Sequence, residues 1–156
     1  GTEYNYLIPC NLYGEYDHFD NPNQCHFITA LIRKIIDSEN EGRDEITLFG
    51  TGEPLRQFMY AGDLARTIKL IIENDITDSF NVATPEENNI RDMAEITLKA
   101  LNKDMKVVFD TDKPDGQYRK TVSCKKMLES VGDFEFTKLE DGVKKVYDEV
   151  IKKYGK

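Results

Sequence analysis

A turn between two extended runs, within residues 47–65 (TLFGTGEPLRQFMYAGDLA), constrains the fold of this chain more than any other stretch. A short strand is predicted at residues 46–49, and Gly50 and Gly52 then allow a tight turn that side chains would obstruct. One fixed cation, Arg56, follows the turn. The spacing alone indicates a strand, a turn and a strand, with an arginine on the surface.

The second half of this stretch leads into a helix. Pro54 fixes the backbone ahead of Arg56, and residues 57–60 form a second extended run. Asp63 stands where a helix cap is expected. Apolar residues then recur at helical spacing, at Leu64, Ala65, Ile68, Ile71 and Ile72. Arg56 is therefore expected to lie between two strands and ahead of a helix.

Short strands alternate with amphipathic helices along the rest of the chain. A buried strand is predicted at residues 4–12, and further strands are predicted at 79–83 and 106–110. Turn-rich loops are predicted at 13–24 and 110–124, and helices after His26, after Asn89, at 125–130 and through 143–154. Asn89, with Asp92 three positions later, has the arrangement of a capping box. This alternation predicts an α/β fold.

Composition excludes several classes of function. The 156 residues carry a net charge of −8, which argues against binding to nucleic acid or to an anionic membrane. No apolar run approaches the length of about 18 residues that a membrane span needs, and the polar start shows no signal-peptide pattern. The three cysteines have no paired spacing, so reduced thiols and a cytoplasmic location are expected. Two histidines without ligand spacing predict no metal site.

Several polar side chains are candidates for a site, each with a plainer alternative. Asn11 ends a predicted strand, where either a ligand contact or an ordinary turn asparagine is expected. His26 stands at the entrance to a helix, as a proton donor near neutral pH or as a surface or capping histidine. Lys34, Arg56 and Lys120 supply the charge that a diphosphate needs, or are solvated surface cations. Lys34 follows His26 by two helical turns, so both are expected to face one cleft.

Two patterns in the chain resemble the extended short-chain dehydrogenase/reductase enzymes that act on nucleotide sugars. Residues 50–58 fit G-x-G-x-x-x-R-[DEQ]-[FW], which binds the substrate in that family. Residues 9–14 (PCNLYG) fit its P-x-N-[LV]-[YF]-G, with Cys10 in place of the usual Thr.

Two narrower patterns make the chain similar to the GDP-L-fucose synthases within that superfamily. Asp17, Phe19 and His26 keep the order of D-x-F-x(5–6)-H, and residues 115–120 (DGQYRK) are a stretch that the synthases share. The resemblance covers nearly the whole chain but only the C-terminal half of the family. It implies that the full-length enzyme performs 3,5-epimerisation and 4-reduction of GDP-4-keto-6-deoxymannose with NADPH. It also implies a homodimer whose contacts lie mainly in the other half of the family's chain.

The resemblance implies a substrate site made of Lys34, Phe49, Arg56, Asp115 and Lys120. The three cations would hold the diphosphate, and Asp115 would accept hydrogen bonds from nucleotide or sugar donors. Phe49 stands where the synthases usually have Trp. It would offer an apolar face for stacking with less area and no indole donor.

The resemblance also implies a cofactor side to the site. Pro9, Cys10, Asn11 and Leu12 would lie beside the nicotinamide and the sugar. His26 would contact the cofactor as well and would be the catalytic acid of epimerisation. In that role it protonates the carbon alpha to the keto group after the hydrogen there has been removed.

Two features of the family's active site are absent from this sequence. No run of glycines forms G-x-x-G-x-x-G or G-x-G-x-x-G, and none of the eight tyrosines has a lysine four residues later. NADP(H) is therefore expected to bind mainly to the N-terminal half of the full-length enzyme, and this chain alone is expected to be inactive.

One substrate-binding domain is expected over residues 1–156, with residues 1–14 a strand and loop left from the nucleotide-binding sheet. Such a strand would expose a sticky edge, so weak stability or self-association is expected. Two other functions stay open. The chain is part of another nucleotide-sugar epimerase or dehydratase of the same superfamily, or it is a non-catalytic nucleotide-sugar-binding module.

Overall fold

The computed structural model describes residues 4–21 and 24–155. Within these residues, helices α1 to α5 span Phe27–Asn40, Ala61–Glu73, Ile90–Ala100, Lys125–Val131 and Leu139–Tyr154. Strands β1 to β9 span Leu7–Pro9, Asn11–Tyr13, Glu45–Phe49, Leu55–Arg56, Phe58–Tyr60, Phe80–Val82, Asn88–Asn89, Lys106–Asp110 and Arg119–Lys120. The predicted α/β fold is confirmed. Residues 1–3 of the expected domain, and Pro22 and Asn23 of the predicted loop, lie outside the described residues.

Four small sheets connect distant parts of the chain. Strands β1 and β6, β2 and β5, and β3 and β8 pair in parallel. In the fourth sheet, β4 lies between β7, which is antiparallel to it, and β9, which is parallel to it. Parallel pairing requires long crossovers, and helices supply several of them here. The predicted alternation of strand and helix is the sequence signature of these connections.

The core lies around α1. Its apolar stripe is fully buried, at Ile28, Leu31, Ile32, Ile35 and Ile36. Helix α1 packs against α5 and β3, and α3 packs against α5. A second, smaller core joins β5 and β6 to α4 through Met59, Val82 and Met127. Burying such large aliphatic side chains contributes about 1.5–3 kcal/mol each relative to exposure.

The prediction of one buried strand over residues 4–12 is wrong. The chain first pairs with β6, and Cys10 N still donates to Val82 O at 2.9 Å. It then turns to pair with β5, so two strands replace one. Tyr4, Tyr6 and Ile8 share one face and are 80%, 72% and 61% exposed. Hydrophobicity predicted burial, but the described part of the chain supplies nothing to cover that face.

The prediction that Asp63 caps a helix is also wrong. The N-cap of α2 is Tyr60, and Asp63 is the third residue of the helix, 1% exposed. Its carboxylate accepts hydrogen bonds from Thr137 N at 2.8 Å, Thr137 Oγ1 at 2.7 Å and Arg66 Nη2 at 2.7 Å. Asp63 therefore ties α2 to the segment that leads into α5, a long-range contact that local spacing cannot reveal.

The remaining element predictions agree with the structure to within a few residues at their ends. Asn89 is the N-cap of α3, and its side chain accepts from Asp92 N at 2.7 Å, as the capping-box pattern predicted. Arg56, expected between two strands, lies in the short strand β4. The loop predicted at residues 110–124 contains the two-residue strand β9, which pairs with β4.

Candidate functional site

Two predicted cations lie side by side on the sheet formed by β7, β4 and β9, which we call the cation sheet. Arg56 is the register partner of Lys120 on β9 and of Asn88 on β7, and register partners project from the same face of a sheet. Arg56 Nη1 donates to Leu55 O at 2.8 Å. Within the described residues, neither Arg56 nor Lys120 forms an ion pair with a carboxylate. No carboxylate of the described residues therefore neutralises their positive charge.

The glycine turn next to the cation sheet is held by Asp115. Gly50 and Gly52 have φ angles of 79° and 84°, and a Cβ added at Gly50 would collide with the Asp115 carboxylate. That carboxylate accepts from Thr51 N at 2.6 Å and from Thr51 Oγ1 at 2.8 Å. Each of its oxygens is thus already engaged within the chain. The geometry gives Asp115 a positioning role that the sequence did not reveal.

The loop that carries Asp115 also reaches Arg56. A Cβ added at Gly116 would lie 3.9 Å from Arg56 Nη2, and Tyr118 O lies 3.5 Å from Arg56 Nη1. On the other side of the turn, Arg91 Nη2 donates to Thr51 O at 2.8 Å. The glycine turn, the loop and Arg56 therefore form one connected structure.

Lys34 and Phe49 form a second part of the predicted substrate site. Lys34 Nζ lies 5.1 Å from the centre of the Phe49 ring and donates to Thr47 O at 2.6 Å. Partial burial lowers the pKa of Lys34. Phe49 is 59% exposed, so one apolar face is open beside the ammonium group. Phe49 directly precedes Gly50, which places this pair next to the glycine turn.

Gln57 is a supporting residue that sequence reasoning missed. It is 5% exposed, its Nε2 donates to Thr84 O at 2.9 Å and to Val122 O at 3.1 Å, and its Oε1 accepts from Val122 N at 2.7 Å. Asn11 Nδ2 donates to Gln57 O at 3.1 Å. Gln57 therefore fixes the backbone beside Arg56 and links it to the strand that carries Asn11. A polar residue inside an apolar strand was the available signal.

The cofactor-side candidates lie where β1 passes into β2. Asn11 and Leu12 belong to β2, whereas Pro9 ends β1. Burial raises the pKa of the Cys10 thiol, which keeps it protonated near neutral pH. Of these four residues, Leu12 lines a cavity of about 450 Å³ that His26 also lines.

That cavity, which we call the histidine cavity, is mostly apolar. Its lining residues are Leu12, Tyr13, Gly14, Glu15, Tyr16, Asp17, His26, Tyr60, Ala61, Gly62 and Ala65. Lys34 is not one of them. The expectation that Lys34 and His26 face one cleft is therefore not met, because Lys34 turns toward β3 instead.

His26 lies at the N-cap position of α1 but does not act as a capping side chain. Its backbone is extended, and its imidazole makes no cap hydrogen bond. The side chain is 68% exposed, and its Nδ1 lies 3.5 Å from Asp17 Oδ2. An imidazole at the edge of an apolar cavity, beside a carboxylate, is arranged for proton transfer. His18, in the same loop, is exposed.

Tyr60, also missed by sequence reasoning, closes one wall of the histidine cavity. Its hydroxyl donates to Glu15 Oε1 at 2.5 Å. Desolvation, with the Glu15 hydrogen bond, raises the pKa of Tyr60 to about 12. The phenol therefore keeps its proton near neutral pH and donates it in the hydrogen bond to Glu15.

Neither a metal cluster nor a membrane-spanning helix is found among the described residues. Among the described residues, no three His, Cys, Asp or Glu side chains gather closely enough to hold a metal ion. No helix in the part of the chain that the structure describes has both the length and the hydrophobicity of a membrane span.

Known relatives share both sequence and fold with this chain. GDP-L-fucose synthase from Dictyostelium discoideum is 35% identical over 147 residues, which are 92% of this chain and 45% of that protein. GDP-L-colitose synthase from Yersinia pseudotuberculosis is 37% identical over 145 residues, with coverage of 92% and 46%. The chain thus spans about half the length of the curated relatives it matches.

Solved structures place the fold in the same group. A GDP-L-fucose synthetase from Naegleria fowleri bound to NADP superposes with a TM-score of 0.86 at 32% identity, over 96% of this chain and 47% of that one. A UDP-N-acetylglucosamine 4-epimerase from Methanobrevibacter ruminantium, at 22% identity and a TM-score of 0.80, shares the fold alone. The family model for the NAD dependent epimerase/dehydratase family matches residues 1–83, more than half of the sequence. The match over more than half of the sequence, together with the α/β fold and the glycine turn beside Arg56 and Lys120, shows that the chain belongs to the NAD dependent epimerase/dehydratase family.

Proposed function

We propose that this chain is the nucleotide-sugar-binding part of an epimerase-reductase that converts GDP-4-keto-6-deoxymannose to GDP-L-fucose. The observation that carries the proposal is the pair of cations Arg56 and Lys120, which are fixed in register on the cation sheet and pair with no carboxylate of the described residues. A diphosphate needs concentrated positive charge, and the net charge of −8 makes such a local cluster stand out. The fucose synthase relatives support the choice of sugar nucleotide.

Each part of the site has a role in this proposal. Arg56 and Lys120 bind the diphosphate, and Lys34 adds charge at the Phe49 end. The open face of Phe49 stacks on the base. Asp115 accepts hydrogen bonds from the nucleotide or sugar with lone pairs that Thr51 leaves free, while it holds the glycine turn.

His26 is the catalytic acid in this proposal. After a base of the N-terminal half of the full-length enzyme has taken the hydrogen alpha to the keto group as a proton, the imidazolium of His26 gives its own proton to that carbon from the opposite side. The imidazole becomes neutral and the configuration of the carbon is inverted.

NADPH supplies the hydride for reduction of the 4-keto group. The residues present fit only one wall of its site, because Leu12 and His26 line one cavity but the sequence has no glycine-rich dinucleotide turn. We therefore assign most of the NADP(H) contacts, the reducing chemistry and the dimer contacts of a homodimer to the N-terminal half of the full-length enzyme. The isolated chain binds substrate without turning it over, and its location is cytoplasmic.

Calorimetric titration of the 156-residue chain with GDP, UDP and ADP tests the proposal. We expect selective binding of GDP, and a loss of roughly tenfold or more in affinity for Arg56→Ala, since a charge-assisted hydrogen bond contributes about 1.5–3 kcal/mol. Arg43→Ala is the matched control, because Arg43 pairs with Glu41 at 2.7 Å and is no part of the site. Equal binding of all three nucleotides, or equal loss in both variants, would contradict the proposal.

A second candidate is a different sugar nucleotide, favoured by the 37% identity to GDP-L-colitose synthase. GDP binding alone does not separate the two. Competition of GDP-4-keto-6-deoxymannose against GDP does, because only the matching sugar adds affinity beyond the nucleotide. A non-catalytic binding module predicts the same GDP binding. In the full-length enzyme, His26→Gln would then leave activity unchanged, whereas the proposed role predicts loss of epimerisation with binding retained.

A further inference from the structure

The carboxylate of Asp17 is held more firmly than a loop side chain requires. Its Oδ1 accepts from the backbone N–H of His18 at 2.8 Å, and its Oδ2 accepts from Thr29 Oγ1. Thr29 is fully buried in the first turn of α1, and the Asp17 side chain is 19% exposed. Two donors from two directions therefore fix the position of the carboxylate.

The backbone around Asp17 is fixed as well. Asp17 N donates to Gly14 O at 3.2 Å, which closes a turn at the start of the loop. The carboxylate also lies at the N-terminal end of α1, where the helix dipole favours negative charge. The loop, the turn and helix α1 thus hold the Asp17 carboxylate in one position beside the histidine cavity.

His26 depends on that carboxylate for its orientation. The imidazole makes no cap hydrogen bond to α1 and is 68% exposed, so helix contacts alone leave it free to rotate. Its Nδ1 lies 3.5 Å from Asp17 Oδ2, one small side-chain rotation from a hydrogen bond. Two other polar groups of the cavity wall, Glu15 and Tyr60, are hydrogen-bonded to each other.

We propose that Asp17 is a positioning residue for His26, which accepts the Nδ1 proton and turns Nε2 into the histidine cavity. The hydrogen bond made by one ring nitrogen sets which nitrogen carries the remaining proton in the neutral ring. An Asp17 acceptor selects the Nδ1–H form and stabilises the imidazolium from which Nε2 releases its proton. The inference rests on the proposed function only for the reaction that Nε2 serves; the pairing itself is a property of this chain.

Long-range proton–nitrogen NMR of the 156-residue chain, labelled with ¹⁵N in histidine, measures the tautomer directly. The spectra are recorded at about pH 8.5, about two units above the ordinary histidine pKa. His18 is exposed in the same loop and is the internal control. We expect His26 to favour the Nδ1–H form over the His18 ratio by roughly tenfold, the effect of one charge-assisted hydrogen bond.

Two variants test whether Asp17 causes that preference. Asp17→Ala should return His26 to the tautomer ratio of His18. Asp17→Asn keeps the shape of the side chain and should lower the preference several-fold, which covers the case in which the alanine variant loosens the loop. Asp20→Asn removes a charge from the same loop, but Asp20 pairs with Tyr154 rather than with His26. This variant should leave the tautomer ratio of His26 unchanged.

The outcomes separate this inference from the proposed function. The same ratio at His26 and His18 in the unmodified chain, or a His26 ratio that survives both Asp17 variants, overturns the positioning role. A clear Asp17-dependent tautomer in a chain that binds no GDP supports the pairing and rejects the nucleotide-sugar proposal. GDP binding by Asp17→Ala at unchanged affinity is expected, because Asp17 is not part of the cation sheet.

Discussion

Helix α1 and the segment that contains β1 have similar apolar sequences but opposite surroundings. The inward residues of α1 are fully buried between α5, β3 and the neighbouring loop, and Ile32 is 0% exposed. Ile8 of β1 is 61% exposed, and within the described residues β1 pairs on one edge only, with β6. Hydrophobicity is thus a property of a residue, whereas burial depends on whether the chain brings a partner to it.

The same substitution at two isoleucines, one in α1 and one in β1, should give the largest difference in stability. Ile32→Ala removes a fully buried side chain and should lower the free energy of unfolding by about 2–5 kcal/mol, through lost burial and a cavity. Ile8→Ala should change it by less than about 0.5 kcal/mol, because its side chain is mostly in solvent. Urea unfolding of both variants measures the difference, and similar losses would mean that β1 is covered in solution.

Hydrogen bonds of the buried Asp63 connect α2 to the segment that leads into α5. Asp63→Ala removes the acceptor of Thr137 N, Thr137 Oγ1 and Arg66, and should lower the free energy of unfolding by about 2 kcal/mol. Asp78→Ala, a control at an exposed carboxylate that pairs with Lys126, should cost under about 1 kcal/mol. Equal costs in thermal or urea unfolding would show that the Asp63 network is not rigid.

The exposed face of β1 should affect self-association of the chain more than its stability. We expect the chain to self-associate through the free edge of β1, so Ile8→Lys should weaken association several-fold in sedimentation analysis, since a lysine opposes edge pairing. Ile72→Lys is the matched control, because Ile72 is 70% exposed but lies on α2. A monomeric, cooperatively melting chain at high concentration would refute the expectation.

The smallest expected effect concerns the pH dependence of the loop that borders α1. The hydrogen bond from Tyr154, with Lys153 beside it, holds the pKa of Asp20 below its ordinary value of about 3.9. The unfolded chain therefore binds this proton more readily, so this contribution is complete above about pH 4 and is lost as pH falls through the native pKa. Asp20→Asn should flatten the acid limb of a stability–pH curve slightly, and Tyr154→Phe should reproduce part of the change. An unaltered acid limb in both would exclude the contact.

Features with local causes could be predicted from the sequence. The apolar stripe of α1 and the Asn89 cap depend on spacings of three and four residues, and both are confirmed. Asp63 was misassigned because its partner, Thr137, is 74 positions away. The exposed face of β1 was read as buried because nothing in a single strand states what lies across from it.

The candidate site divides in the same way. Arg56 could be found from its place after a glycine turn, and His26 from its place before a helix and from the family resemblance. The supporting contacts of Gln57 with Thr84 and Val122, and of Asp115 with Thr51, needed the folded chain, because each joins segments far apart in sequence. Sequence reasoning thus selected the candidate site residues but not the residues that hold them in place.

The cation sheet has a consequence for the order in which this protein folds. Its strands are two residues long, and the contact of Thr51 with Asp115 closes a loop of 64 positions, whereas α1 and α2 form from neighbouring residues. Closing long loops costs entropy before the new contacts repay it, so the local helices should form early and the sheet late. A collapsed but incomplete chain would then have its helices but not the cation sheet. Nucleotide added during refolding should accelerate no early step, yet it should capture the finished protein, which makes binding a reporter of the last stage of folding.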